Sequence, residues 1–241
     1  MATIIAFGNQ KGGAGKTTVT CLAENALSSP PFSARVFVAD CDPQQSIIRR
    51  RLADQQITDD VPPYRVAFFS LAELQRDINR LDRENDFVFI DLPGRLDIAR
   101  PADQQEITKF IQYIDFLFVP MTPGNYAMQS TVDYLRGVVK IAETRANAPR
   151  PLSVVGFLNM YEGGRTTDDR ALVEEADNLQ RYAKLPVLET RLQRYALFRG
   201  VDTFTTFYAP ETTDRAAANF SAFLDELLKT IKWQRKQSGQ Q

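Results

Sequence analysis

The 241-residue sequence predicts a single α/β domain built on a mostly parallel sheet of about seven strands, with helices on both faces. Two observations carry this expectation. Short runs that are apolar on both faces alternate with stretches of helical periodicity along the chain, as buried parallel strands and their crossover helices require. Glycine-rich or acidic segments stand directly after several of those runs, at the carboxyl ends where such sheets bind ligands.

In order, the strand candidates are Thr3 to Gly8, Arg35 to Asp40, Tyr64 to Phe69, Asp86 to Asp91, Asp115 to Met121, Ser153 to Met160 and Leu185 to Thr190, all rich in β-branched and aromatic residues. The first leads through GNQKGGAGKTT into a helix opening at Lys16. Ser70 and Glu73 form a Ser-x-x-Glu capping box, which predicts a helix from Ser70 to about Arg80. Phe220, Leu224, Leu227 and Ile231 recur about one turn apart in a final helix that should lie across the sheet. The Pro-rich segments Ser28 to Arg35 and Ala146 to Pro151 are short and read as loops, so one domain is expected over residues 1–233, followed by a polar tail over 234–241.

Composition narrows the chemistry. Hydrophobic residues make up 44% and charged residues 24%, which disfavours disordered and membrane classes. The chain has no histidine, so Ser-His-Asp and Cys-His catalysis are excluded, and lysines and carboxylates must carry any reaction. Cys21 and Cys41 form no Cys-x-x-Cys pair, which fits a reducing compartment. The start lacks signal-peptide features and no apolar run reaches the roughly 20 residues of a membrane span, so a cytoplasmic protein without stable membrane insertion is expected. The first strand begins directly after Met1, and no DNA-reading winged helix is expected ahead of it. A net charge of -1 confines any nucleic-acid contact to a local or oligomer-assembled basic patch.

The segment Gly8 to Thr18 departs from the usual phosphate loop: Gln10 stands where the first glycine belongs, and Lys11 adds a cation. Its strand-to-helix setting nevertheless suits a phosphate. Backbone N–H groups from Gly12 through Gly13, Ala14 and Gly15 to the helix start at Lys16, Thr17 and Thr18 can surround one, with Lys16 reaching the β and γ phosphates and the Thr17 hydroxyl facing Mg²⁺. Acids follow the next strands: Asp40 and Asp42 in VADCDPQQS, and Asp91 in FVFIDLPG, where Gly94 offers an amide to a γ-phosphate. Singly, each acid also reads as a turn former; together, after a phosphate loop, they read as a site.

KGGAGKTT, DCDPQQS, IDLPG and FLNMYEGGRT together resemble the ParA/MinD group of P-loop ATPases with a deviant Walker A motif, above all the small ParA-type proteins of plasmids and conjugative transposons. The resemblance spans nearly the whole chain and implies a single-domain P-loop NTPase fold using ATP and Mg²⁺. It makes Lys11 the signature lysine that crosses a homodimer interface to the partner's phosphates, with two ATP molecules sandwiched between. Asp42 would position or activate the attacking water, making Lys11, Lys16 and Asp42 the catalytic set. Thr17, Asp40 and Asp91 would support the metal. Asn159 matches a position that often contacts adenine, although a buried asparagine capping a strand end fits as well. Arg194 lies in a base-flanking segment whose usual proline is Gln193 here. ATP is expected over GTP, because Asn159 is followed by Met160, Tyr161 and Glu162 in place of a guanine signature.

The resemblance further implies slow ATP hydrolysis stimulated by dimerisation and a ParB-like partner. It also implies non-specific DNA binding in the ATP state, with nucleoid association, in plasmid or mobile-element partitioning. Candidate DNA contacts are Arg49, Arg50, Arg51, Arg199, Arg215, Lys229, Lys232, Arg235 and Lys236. The alternative is a MinD-type membrane- or partner-positioning ATPase, for which the apolar and basic residues of FLDELLKTIKWQRK would form the membrane contact.

Overall fold

Seven strands form one sheet in the order β3-β2-β4-β1-β5-β6-β7, with every pairing parallel. They are β1 (Thr3–Phe7), β2 (Val36–Asp40), β3 (Arg65–Phe68), β4 (Phe87–Asp91), β5 (Phe116–Met121), β6 (Ser153–Tyr161) and β7 (Leu192–Gln193). The structure, a computed structural model, describes residues 1–94 and 100–233. The expected tail, with Arg235 and Lys236, lies outside the described residues. The helices are α1 (Lys16–Ser28), α2 (Ser46–Asp54), α3 (Leu71–Glu84), α4 (Pro101–Ile111), α5 (Asn125–Thr144), α6 (Thr167–Ala183) and α7 (Arg215–Thr230), with a 3₁₀ turn at Ala196–Gly200.

Alternation along the central strands builds two cores. Ile5, Phe7, Phe87 and Phe89 face α1 and α7, while Ile4, Ala6, Val88 and Ile90 face the layer holding α3, α4 and α5. β1 sits between β4 and β5, so the loop after it lies between strands running to opposite halves of the sheet, which is the switch-point position for a ligand. The capping box forms as expected: Ser70 Oγ accepts from the Glu73 N–H, and Glu73 accepts from the Ser70 N–H at 2.9 Å.

Two strand expectations are corrected. Tyr64 to Phe69 is not buried on both faces, because β3 is an edge strand with Arg65 and Phe68 exposed. The seventh strand is Leu192–Gln193, not Leu185 to Thr190, whose only pairing is a single bridge between Val187 and Gly156. The physical cause is competition for backbone donors. The Glu189 and Thr190 N–H groups are taken by the Glu226 carboxylate of α7 at 2.6 and 2.7 Å, so the chain bulges away and rejoins the sheet where Leu192 pairs with Asn159.

The final helix is core, as its spacing predicts. Phe220, Leu224 and Leu227 are fully buried, Leu228 and Ile231 nearly so, and the half-buried Trp233 ring packs on Phe32 and Phe87 with centroids 5.9 and 5.4 Å away. The apolar residues that would have served a membrane face therefore fill the space under the sheet. Leu227→Ala should cost about 2–5 kcal/mol of stability, read as a lowered urea midpoint in lipid-free buffer. An unchanged midpoint would remove α7 from the core.

Candidate nucleotide site

The loop between β1 and α1 is held by side chains that precede its glycines. Asn9 is buried, and its amide nitrogen donates to the Pro120 carbonyl and to Thr131 Oγ1, both at 2.8 Å, while its oxygen accepts the Lys11 N–H at 3.0 Å. Gln10 donates to the carbonyl and hydroxyl of Ser130 on α5, each at 3.1 Å. Gln10 does not have a positive φ, so the backbone at this point has no need of the glycine that the usual loop carries. Positive φ falls instead at Gly13 and Gly15, at 76° and 84°.

A side chain on Gly12 or Gly13 would meet nothing within 4 Å, so both leave open space over the loop. Gly15 caps the start of α1 and no side chain bonds there, which leaves the first-turn amides for an anion. Lys16, almost buried, points back over the loop to the Lys11 carbonyl at 3.4 Å. Burial lowers the pKa of its ammonium, and the carboxylates of Asp91 and Asp42 partly offset that. Lys11 itself is half-buried, and its ammonium makes no hydrogen bond or ion pair among the described residues. Thr17 and Thr18 are partly accessible on the first turn of α1.

The acids gather beside the loop because the sheet register brings them there. Asp40 and Asp91 are direct register partners at the ends of β2 and β4. Asp40 is fully buried; desolvation raises its pKa, partly offset by the N–H groups of Ile48 and Asp42. Burial, followed by the nearby Asp40 and Asp42 carboxylates, pushes Asp91 up to about 8. Asp42 is more accessible, and its oxygens accept the Gln44 N–H at 2.8 Å and the Gly94 N–H at 3.0 Å. A side chain on Gly94 would stand 3.3 Å from Asp42 Oδ2 and 3.6 Å from Lys16 Nζ, so these three residues share one spot.

The donor set fits Mg²⁺ in the manner of nucleotide sites. Among the described residues no three acids or thiols close on one point as an all-protein cage. Two buried carboxylates that repel one another, with a threonine hydroxyl on the adjoining helix, instead suit an ion that keeps waters and phosphate oxygens in its own shell.

On the far side of the loop a cavity of about 230 Å³ lies between α1 and the segment after β7, lined among others by Leu22, Asn159, Arg194 and Phe198. Arg194 pairs with Glu162 at 3.0 Å. The buried Asp169 carboxylate fixes the loop carrying that glutamate by accepting the Glu162 and Gly164 N–H groups at 3.1 Å. Asn159 is buried and donates to the Ala14 carbonyl at 2.8 Å.

Sequence reasoning missed Asn9, Gln10 and Asp169 as braces. Only Asn9 carried a local signal, since asparagine commonly bonds the amide two residues on. It also missed Glu24, a fully buried acid on α1 whose pKa burial raises well above the usual range. Arg51 is corrected as a DNA candidate: it is buried, donating to Thr203 Oγ1 at 2.8 Å and to the Tyr64 carbonyl at 2.9 Å.

Asp91 sets a pH dependence. Its folded pKa lies above the ordinary aspartate value, so its contribution to stability is complete below about pH 4 and is lost as pH rises through about 8. Free of metal and nucleotide, the protein should lose thermal stability more steeply than Asp91→Asn as the pH is raised to about 9, as read by circular dichroism melts; parallel curves for the two proteins would refute the assignment.

The fold has counterparts among known proteins. Maintenance of carboxysome distribution protein A of Halothiobacillus neapolitanus is 24% identical over 234 residues, covering 94% of this chain and 97% of that protein. Cobyrinic acid a,c-diamide synthase from Mycobacterium smegmatis, solved with bound ADP and magnesium, superposes with a TM-score of 0.60 at 19% identity over all of both chains. The pNOB8 ParA bound to nonspecific DNA has a TM-score of 0.57 at 15% identity, covering 96% of this chain and 99% of that one. The sequence profile of the CobQ/CobB/MinD/ParA nucleotide-binding domain matches residues 5–200. The chain belongs to this ParA/MinD family of P-loop ATPases, whose cofactors are ATP and Mg²⁺.

Proposed function

We propose that this protein is an ATP-switched homodimer that binds DNA non-specifically in its ATP state and acts in partitioning a plasmid or mobile element, with a ParB-like partner stimulating hydrolysis. The observation that carries the reading is Lys11: a half-buried ammonium on the lip of a phosphate loop that already has its own lysine, with no partner among the described residues. A charge placed there serves phosphates supplied across an interface. Supplied in trans, it offsets charge developing in phosphoryl transfer, and hydrolysis then depends on dimerisation.

In the proposed site, Lys16 and the uncapped amides of α1 bind and orient the phosphates. Thr17, Asp40 and Asp91 would hold Mg²⁺, which would supply positive charge to offset that of the phosphates. Asp42 orients the attacking water, its carboxylate being held by the Gly94 N–H. The Gly94 N–H, expected to meet a γ-phosphate, is thus engaged by Asp42 in this fold. Arg194 flanks the adenine in the cavity beside α1, a cavity that Asn159 also lines.

The DNA surface is proposed to include Arg49, Arg50 and Arg199. Arg50 donates to the Gly200 carbonyl at 3.0 Å, which sets the basic run of α2 beside Arg199. Arg215, Lys229 and Lys232 are exposed along α7 and its end, and a dimer doubles each of these charges. The protein is proposed to be cytoplasmic and to associate with the nucleoid when ATP-bound.

A second reading, positioning of a protein cargo, is supported by the carboxysome-distribution relative. Its membrane variant is disfavoured by the burial of Leu227, Ile231 and Trp233 against the sheet. No helix among the described residues is long and apolar enough to cross a membrane.

DNA binding measured with ATP, ADP and no nucleotide tests the proposal. Lys11→Ala should abolish the ATP-dependent response, whereas Asp42→Ala should retain dimer and DNA but lose turnover at least about 100-fold. Protein that dimerises with ATP yet ignores DNA at low salt would favour the cargo reading, and ATP-dependent flotation with liposomes would restore the membrane variant.

A further inference from the structure

Asn159 does something in this fold that base contact does not require. It stands near the end of β6, and both ends of its amide are engaged: Nδ2 donates to the Ala14 carbonyl at 2.8 Å, and Oδ1 accepts the Met160 N–H at 3.0 Å. Met160 takes a left-handed backbone conformation, with φ of 58°, that a non-glycine residue adopts only at some cost. A Cβ on Gly15 would come within 2.5 Å of Asn159 Nδ2, so loop and side chain are in close contact without spare room.

The direction of the Ala14 carbonyl has a geometric consequence. In a trans peptide the carbonyl and the following N–H point opposite ways, so a carbonyl held toward Asn159 turns the Gly15 N–H away from it. Gly15 is the residue before α1, and its amide lies at the loop-to-helix junction where the proposed phosphate site opens. We infer that Asn159 is a positioning residue for the phosphate cradle, aiming the Gly15 amide at the phosphates by holding the Ala14 carbonyl. The inference rests on the nucleotide-binding reading and adds a base-independent role: Asn159 matters for the phosphate chain even when no adenine is attached. Because it also lines the adjoining cavity, one side chain joins the base end of the site to the phosphate end.

Binding of Mg·ATP, Mg·GTP and magnesium tripolyphosphate by calorimetry, to the full chain and to Asn159→Ala, tests this. The expected result is a fall of roughly tenfold for all three ligands alike, the loss of one hydrogen bond that positions a donor. Native-like melting of the ligand-free variant would accompany it. Should Asn159→Ala not fold, Asn159→Ser replaces it, with the same uniform loss expected. A variant that binds tripolyphosphate like the parent while losing only ATP, or losing ATP and GTP unequally, would overturn the inference and leave Asn159 as a base reader. A parent protein that binds none of the three, with Lys16→Ala no different, would overturn the nucleotide reading and this inference together.

Discussion

Two carboxylates side by side in a protein interior are the constraint around which this structure is organised. Asp40 and Asp91 end neighbouring parallel strands at paired positions, so neither can move away from the other without breaking the ladder. In a medium of low dielectric constant two like charges at that range cannot both be carried cheaply. The fold answers with the amides of Ile48 and Asp42 on one acid and the nearby Lys16 ammonium acting on the other, while burial and the neighbouring acids push the pKa of Asp91 up. A divalent ion between them would offset the charge that those measures leave.

Local pattern made most of this legible in the sequence. The central strands are apolar on both faces, the α3 cap is a four-residue motif, and the acids stand at strand ends, so each is set by residues near in the chain. The failures share a different property. The seventh strand was displaced by Glu226, whose carboxylate reaches back to Glu189 and Thr190, and Gln193 is fixed through its N–H by Asn219 at 2.8 Å. Arg51 sits in a run of three arginines that reads as solvated, yet its partner Thr203 is remote in sequence. Gln10 looked like a lost glycine until its bond to Ser130 gave it a purpose. Periodicity cannot reveal a donor or acceptor supplied from the other end of the chain.

α7 shows how one helix serves two ends of the molecule. Its apolar face fills the core under β1 and β4, and its polar side chains Asn219 and Glu226 satisfy backbone groups along the last strand and its approach. That strand leads directly to Arg194, Tyr195 and Phe198 at the cavity beside α1. Packing at the back of the sheet therefore sets the wall of the pocket at its front.

The bare amino end of α1 has a meaning for the life of the protein as well as for its chemistry. A helix whose opening amides lack any side-chain cap is unfinished until an anion arrives, so ligand and fold share those donors. A ligand held only by the folded state, at 100 times its dissociation constant, adds about 2.7 kcal/mol of stability. Without nucleotide the folded state forgoes that stabilisation, and this end of the molecule opens more often.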